Sequence, residues 1–152
     1  SLVVESTNSM QERGNRAGIA YFFNLLKCLF SYKSQFVTLE IESKKIEKKI
    51  FSISIGIGKY SGGGMMQTPD AIIDDGFFDL TWYEEMNAWK VIRNVNKLYN
   101  GKINKLDTVS TIKCKKLRVS NGKGLLCEID GEIIKADTFE IDILPSALKV
   151  MI

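Results

Sequence analysis

Two acidic motifs are the parts of this sequence best suited to chemistry. One is Asp74-Asp75-Gly76 and the other is Asp130-Gly131-Glu132. Because the chain contains no histidine, zinc sites built on histidine, Ser-His-Asp triads and imidazole acid–base catalysis are excluded. A general base in this chain would have to be a carboxylate, a lysine, or a tyrosine or cysteine with a perturbed pKa.

Each acidic motif is open to a structural and a functional interpretation. Asp-Gly is a common pair in the tight turn of a β-hairpin, and the pattern alone favours a turn at Asp75-Gly76 and again at Asp130-Gly131. A carboxylate beside backbone carbonyls at a tight turn would also suit Mg²⁺ or Ca²⁺, which prefer oxygen ligands. A carboxylate of the Asp130-Gly131-Glu132 motif could serve as a general base.

Three consecutive glycines, Gly62, Gly63 and Gly64, form the other unusual motif. Only glycine accepts positive φ without steric cost, so this loop is suited to unusual backbone geometry. Its amides could contact phosphate or ribose, although the loop lacks the G-x-x-x-x-G-K-[ST] form of a P-loop. A more modest role for this nucleotide or interdomain loop is to let two domains approach each other closely.

The segments around the glycine loop are predicted to be strands. In FSISIGIG, residues 51–58, the odd positions are large and apolar and the even positions are small: Ser52, Ser54, Gly56 and Gly58. The small face is flat enough for another backbone to lie close to it. A second strand follows Asp75-Gly76, with Phe78, Leu80 and Trp82 on one face.

The remaining segments complete a β-rich pattern. Residues 35–43 alternate, with Val37, Leu39 and Ile41 inward, and we expect this strand to pair antiparallel with the next. A helix is predicted over residues 87–101, with Asn87 as its cap.

Further along, the change from even to odd apolar positions after Cys114 predicts a bulge or bend near Lys115-Lys116. Asn121-Gly122 predicts a turn, and residues 124–134 predict a hairpin. The pattern indicates a mainly β fold, a β-sandwich with helical additions.

Composition indicates a soluble globular chain rather than a fibrous or disordered one. The 152 residues are 45% hydrophobic and 26% charged, which suggests one domain. We expect residues 1–16 to be a linker or helix end from another domain, and residues 17–152 to form the domain itself. The net charge of +3 supports neither nucleic-acid binding nor a polybasic membrane anchor. Three cysteines without a CxxC spacing suggest reduced thiols in the cytoplasm.

The glycine and aspartate pattern resembles the C-terminal domain of the diacylglycerol kinase-like lipid kinases, which include sphingosine and ceramide kinases. The resemblance lies in G-x-Y-x-G-G-G-M from Gly58, Pro69-Asp70-Ala71, Asp74-Asp75-Gly76 with Asp79, and Asp130-Gly131-Glu132. It implies a β-sandwich like the second domain of NAD kinase. One departure is Ile57, where the family usually has Asn.

The resemblance also implies roles for individual residues. It gives Asp75 a metal-ligand role, with the carbonyls of Ile72 and Phe77 completing a mainly structural Mg²⁺ site. It gives Glu132 the role of general base in phosphoryl transfer from ATP, with Asp130 as support. It does not identify residues that bind the lipid.

The family's nucleotide-binding motif, G-G-D-G-T, does not occur in this sequence. We therefore expect the chain to act with an N-terminal nucleotide-binding domain, and to be inactive alone. The expected parent is a cytoplasmic lipid kinase that associates peripherally with membranes; a homodimer is left open. The alternatives are an NAD kinase-like enzyme with a soluble acceptor and a non-catalytic β-sandwich binding module.

Overall fold

The computed structural model describes residues 33–147. The predicted linker over residues 1–16, the proposed domain boundary at residue 17 and the thiol of Cys28 lie outside the described residues. Within the described range, the chain forms six strands and one α-helix. They are β1 (Gln35–Ile41), β2 (Lys44–Gly56), β3 (Phe78–Glu84), α1 (Ala88–Tyr99), β4 (Val109–Cys114), β5 (Lys116–Ile129) and β6 (Glu132–Asp142).

All six strands pair antiparallel in one hydrogen-bonded sheet, in the order β4-β3-β2-β1-β5-β6. The single residue Lys115 joins β4 to β5, so their adjoining ends lie within about 7 Å of each other. A flat sheet of this order would separate the two strands by four strand spacings, about 19 Å. The sheet therefore folds back on itself into two facing layers, which confirms both the predicted β-sandwich and the predicted bend at Lys115.

One apolar cluster fills the space between the layers. Its buried members come from five of the strands: Val37, Leu39, Ile41, Ile50, Phe78, Leu80, Trp82, Cys114, Leu117 and Val119. The predicted inward positions of β1 and β3 are all among them. Leu39 and Leu80 have no exposed surface, and each fully buried aliphatic side chain contributes about 1.5–3 kcal/mol to folding.

The alternation in β2 is interrupted by a bulge. The register with β3 shifts between Ile50 and Ser52, and a bulge of this kind moves the following residues to the other face. Ile50 and Ile53 therefore both pack in the core, whereas Phe51 packs on the opposite side with Tyr83. The prediction that the large odd positions from residue 51 share one face is wrong at Phe51.

The outer face of β2, β3 and β4 is covered by the loop that follows β2 and by α1. Asn87 caps the helix as predicted, since its side chain accepts a hydrogen bond from the Lys90 N–H at 2.8 Å. A second apolar cluster lies on this side of the sheet and is formed by Tyr83, Ile103 and Val109, with Phe51, Met86, Leu98 and Leu106 packed against it. Residues of the interior strand β3 are therefore buried on both faces.

β5 and β6 form one long hairpin. At its tip Ile129 is paired with Glu132, and both intervening residues have positive φ, 50° at Asp130 and 87° at Gly131. This is the geometry of a type I′ turn and confirms the predicted hairpin. The prediction of a turn at Asn121-Gly122 is wrong. β5 continues through this pair, with a break in register between Ser120 and Leu125.

Candidate functional site

A polar row crosses the outer face of the sheet. Gly56 of β2 is the cross-strand partner of Asp79, and Asp79 is the partner of Lys113 on β4. Directly paired residues point to the same face, so all three lie on the side opposite the sandwich core. The row places a small residue, an acid and a base next to one another beneath the loop that carries Asp75.

Asp75 lies in a tight turn just before β3, as the sequence predicts, although no paired strand precedes it. Gly76 has a φ of 74°, which a side chain would disfavour. The Asp75 carboxylate accepts a hydrogen bond from the Phe77 N–H at 3.0 Å through Oδ1, and its Oδ2 accepts one from the Lys113 ammonium. The Asp75 N–H in turn lies 3.4 Å from the Ile72 carbonyl oxygen.

The charges of this cluster are coupled. The hydrogen bond from Lys113, together with that from Phe77 N–H, lowers the pKa of Asp75, and the same contact raises the pKa of Lys113. Asp79 is only 1% exposed, and its burial raises the pKa of its carboxyl although Lys113 opposes this effect. Lys113 Nζ lies 3.9 Å from Asp79 Oδ2, and Asp79 Oδ1 has no hydrogen-bond partner among the described residues.

The loop over the polar row is held by the small face of β2. The Thr68 hydroxyl donates a hydrogen bond to the Gly58 carbonyl at 2.8 Å, and Ser54 Oγ lies 2.8 Å from Gln67 Oε1. A Cβ on Gly56 would lie only 2.6 Å from Thr68 Oγ1. The close approach predicted for the small positions of this strand is therefore present, and it positions the segment that leads to Asp75.

The oxygen atoms of this turn suit a hard divalent cation. Ile72 and Phe77 offer backbone carbonyls and Asp75 offers a carboxylate that is 22% exposed, which is the donor chemistry that Mg²⁺ and Ca²⁺ prefer. The two nearby carboxylates carry one more negative charge than the single ammonium of Lys113 balances. Among residues 33–147, no cluster of three or more Asp, Glu, Cys or His side chains could hold an ion by side chains alone.

The glycine loop forms a short, exposed 3₁₀ turn. It is closed by a hydrogen bond from the Ser61 N–H to the Met65 carbonyl at 2.8 Å, and Gly63 and Gly64 have φ values of 72° and 78°. No described atom lies within 4 Å of a Cβ placed on Gly62, Gly63 or Gly64. The predicted unusual backbone is confirmed, while the predicted contact with a nucleotide or another domain stays a prediction.

The second acidic motif lies on a different part of the sandwich. Asp130 and Glu132 are exposed at the tip of the β5–β6 hairpin, and within the described range neither side chain makes a hydrogen bond or ion pair. Two exposed apolar residues, Ile129 and Ile134, lie on the same face of the hairpin as Glu132 and are 51% and 44% exposed, whereas Leu126 lies on the opposite face. No hydrogen bond or ion pair of residues 33–147 connects this tip to the Asp75 turn.

Two polar residues of the Asp75 site are absent from the predicted site. Asp79 and Lys113 are single positions on two strands, and only the cross-strand register brings them to Asp75. A signal for Asp79 does exist in the sequence, because it is an acid near the start of a strand whose other face is apolar. Lys113 carries no such signal, because lysine is common on the outer face of a strand.

In the part of the chain that the structure describes, no helix has the length and apolar character needed to cross a membrane.

Comparison with known proteins places this architecture in a family. The chain is 28% identical over 132 residues to proteins of Yersinia pestis and Yersinia pseudotuberculosis named "Probable lipid kinase YegS-like". The match covers 87% of this chain and 43% of each relative, so the chain spans less than half the length of these relatives.

Solved structures share the fold. A Bacillus anthracis protein provisionally named a diacylglycerol kinase superposes with a TM-score of 0.66 at 17% identity, over 88% of this chain and 46% of that one. A second structure of this kind from the same organism gives a TM-score of 0.60 at 18% identity, over 86% and 44% of the two chains. Residues 1–152 match the family described as the YegS C-terminal NAD kinase beta sandwich-like domain, and the chain belongs to that family.

Proposed function

We propose that this chain is the substrate-side, metal-bearing domain of an ATP-dependent lipid kinase. The acceptor would be the hydroxyl of a diacylglycerol-like or sphingoid lipid. The observation that carries this proposal is the exposed Glu132 carboxylate, unpaired among the described residues, at the tip of a hairpin that exposes Ile129 and Ile134 on the same face. Membership of the family and the names of the relatives, which include lipid and diacylglycerol kinases, support it.

In this proposal Glu132 acts on the acceptor hydroxyl. Its carboxylate orients the hydroxyl and takes its proton as the hydroxyl oxygen forms a bond to the γ-phosphorus of ATP and the bond to the leaving ADP oxygen breaks. Phosphoryl transfer depends mainly on positioning and electrostatic stabilisation, so one exposed carboxylate can be sufficient. Asp130, two residues earlier in the same turn, adds negative charge that favours proton transfer to Glu132 and helps to orient the hydroxyl.

The apolar surroundings of Glu132 favour a lipid over a soluble acceptor such as NAD. Ile129 and Ile134 lie on the same face of the hairpin as Glu132 and expose about half of their surface, and exposed apolar side chains beside a polar centre suit a ligand with acyl chains. Ile129 is directly paired with Glu132. An acceptor hydroxyl at Glu132 would therefore have its chain attachment beside an apolar side chain.

The metal role belongs to the Asp75 turn. Residues Ile72, Asp75 and Phe77 would hold Mg²⁺, which would supply positive charge that fixes the turn and shapes the adjoining surface. The turn immediately precedes β3, so its geometry affects the position of the buried polar row. The chain itself fixes the shape of the Ile72–Phe77 segment in two ways. The Phe77 N–H donates a hydrogen bond to the Asp75 carboxylate, and Gly76 adopts the positive φ that the turn requires.

An acceptor screen tests the proposal. The longest native polypeptide that carries this sequence would be incubated with Mg²⁺, labelled ATP and each of three acceptors: diacylglycerol in vesicles, sphingosine in vesicles, and NAD in solution. We expect label in one of the lipids and none in NAD. Transfer to NAD alone would indicate the NAD kinase-like alternative, and absence of transfer to every acceptor would favour a binding module.

A further inference from the structure

We propose that Lys113 is a resident cation of the Asp75 site, and that its ammonium must withdraw before a divalent ion can bind between Asp75 and Asp79. The inference rests on the metal role given to Asp75 in the proposed function. It adds Lys113 as the residue that sets the affinity for the ion, and Asp79 as the second carboxylate that attracts it.

The sheet register fixes Lys113 in this position. Lys113 is paired across β4 and β3 with Asp79, and its Nζ binds Asp75 Oδ2 while lying 3.9 Å from Asp79 Oδ2. The ammonium therefore lies beside both carboxylates, on an oxygen that a divalent ion would use. Two cations cannot share that oxygen at close range, because like charges repel strongly at a few ångströms.

The environment of Asp79 indicates that Lys113 balances only part of the negative charge of the site. Its carboxylate is 1% exposed, and Oδ1 has no hydrogen-bond partner among residues 33–147. A buried carboxylate oxygen without a partner is costly, and one ammonium cannot balance two carboxylates. A divalent ion carries the charge that would balance both of them.

Lys113 is able to leave the site. Its side chain is 36% exposed, and lysine has a flexible four-carbon stem whose ammonium is readily hydrated. β4 lies at the edge of the sheet among the strands of residues 33–147, so within that part of the chain the stem can turn toward solvent without disturbing a neighbouring strand. The arrangement thus has two states, one with lysine in the site and one with a divalent ion.

The experiment compares ion binding by the purified protein and by Lys113→Met. Isothermal titration with Mg²⁺, Mn²⁺ and Ca²⁺ measures the Kd, and thermal unfolding in EDTA and in excess Mg²⁺ measures the coupling of the ion to folding. We expect Lys113→Met to bind at least one of these ions about tenfold or more tightly, since an opposing charge is removed. It should also have a lower Tm in EDTA and regain it with the ion.

Lys116→Met is the matched control, because Lys116 makes an exposed ion pair with Asp142 and lies outside the site. It removes the same charge and should leave the Kd unchanged. If Lys113→Met unfolds without an ion, refolding on addition of Mg²⁺ would support the proposal. Asp79→Asn in the Lys113→Met background should weaken binding of the ion again, because it removes the second carboxylate that attracts the ion.

An unchanged Kd in Lys113→Met, with Asp75→Asn still abolishing binding, would overturn the role of Lys113 and leave the metal site in place. No binding by the parent or by Lys113→Met would overturn both the metal site and this inference. Neither result depends on catalysis. Lipid phosphorylation can therefore fail while the predicted Kd change is observed, and this outcome would reject only the proposed kinase activity.

Discussion

Substitution of Gly56 by alanine should destabilise the protein and disturb the Asp75 turn. An added Cβ would lie 2.6 Å from Thr68 Oγ1 and 3.0 Å from the Gly58 carbonyl oxygen. Thr68 is buried, with 4% exposure, so its hydroxyl cannot simply rotate into solvent. The loop must move, and the 2.8 Å hydrogen bond from Thr68 to Gly58 must lengthen or break.

The expected magnitude follows from three contributions. Overpacking at a buried contact costs about 1–3 kcal/mol, and loss of the Thr68 hydrogen bond costs about 1 kcal/mol. The alanine restricts the unfolded chain, which offsets about 0.4–1 kcal/mol. The free energy of unfolding of Gly56→Ala should therefore fall by about 1–3.5 kcal/mol.

Urea denaturation followed by tryptophan fluorescence measures this change, and Gly62→Ala is the control. No described atom lies within 4 Å of a Cβ at Gly62, so that variant should differ from the parent by less than about 0.5 kcal/mol. Thr68→Ala combined with Gly56→Ala should recover part of the loss, because it removes the atom that clashes. Equal stability of Gly56→Ala and Gly62→Ala would refute the close approach of the loop to β2.

Two further predictions concern the ion and a buried tyrosine. Mg²⁺ should raise the Tm of the parent by mass action. Asp75→Asn should remove this increase, whereas Asp74→Asn should keep it. An equal response of the Tm to Mg²⁺ in the two variants would argue against the site. Burial raises the pKa of Tyr83 to about 12 from 10.0, against a smaller effect of the Ser54 hydroxyl. The folded state holds the phenol proton more tightly, so the stability from this group is complete below about pH 10 and is lost as the pH rises toward 12, up to about 2–3 kcal/mol. Tyr83→Phe should lose less stability over this range in urea denaturation, and a parallel decline in both proteins would contradict the assignment.

The sequence was sufficient to predict the parts of the fold that depend on local pattern. Period-two alternation identified the inward residues Val37, Leu39 and Ile41, and the Asn87 cap and the Asp130-Gly131 turn depend on short-range hydrogen bonding. The parity change after Cys114 located the bend at Lys115, because a strand cannot change its inward face without one. Each of these features could be predicted because it is determined by a few neighbouring residues, and the structure confirms them.

Features that depend on pairing between distant strands could not be predicted. The bulge that moves Phe51 to the outer face is a property of the β2–β3 register. No residue type in β2 predicts this bulge. Asn121-Gly122 has the composition of a turn, yet β6 holds β5 on both sides of the pair. Local turn propensity is weaker than a long ladder of backbone hydrogen bonds, and so β5 continues.

The candidate site divides in the same way. Its turns were predicted, because Asp75-Gly76 and Asp130-Gly131 have composition that favours them. The row of Asp79 and Lys113 could not be predicted, since it requires β2, β3 and β4 to be placed in register. The roles of Asp75 and Glu132 in binding and catalysis stay predictions from the family resemblance.

The central claim is that Glu132 is the base of a lipid kinase, and one pair of variants tests it most directly. Glu132→Gln keeps the size of the side chain but cannot accept a proton. Glu128→Gln is the control, because Glu128 lies on β5, the other strand of the same hairpin. In the longest native polypeptide that carries this sequence, kcat for lipid phosphorylation should fall about 10²–10⁴-fold in Glu132→Gln. The KM for ATP should change little, and Glu128→Gln should keep the parent rate. Near-parent kcat in both variants on a competent lipid would contradict the claim.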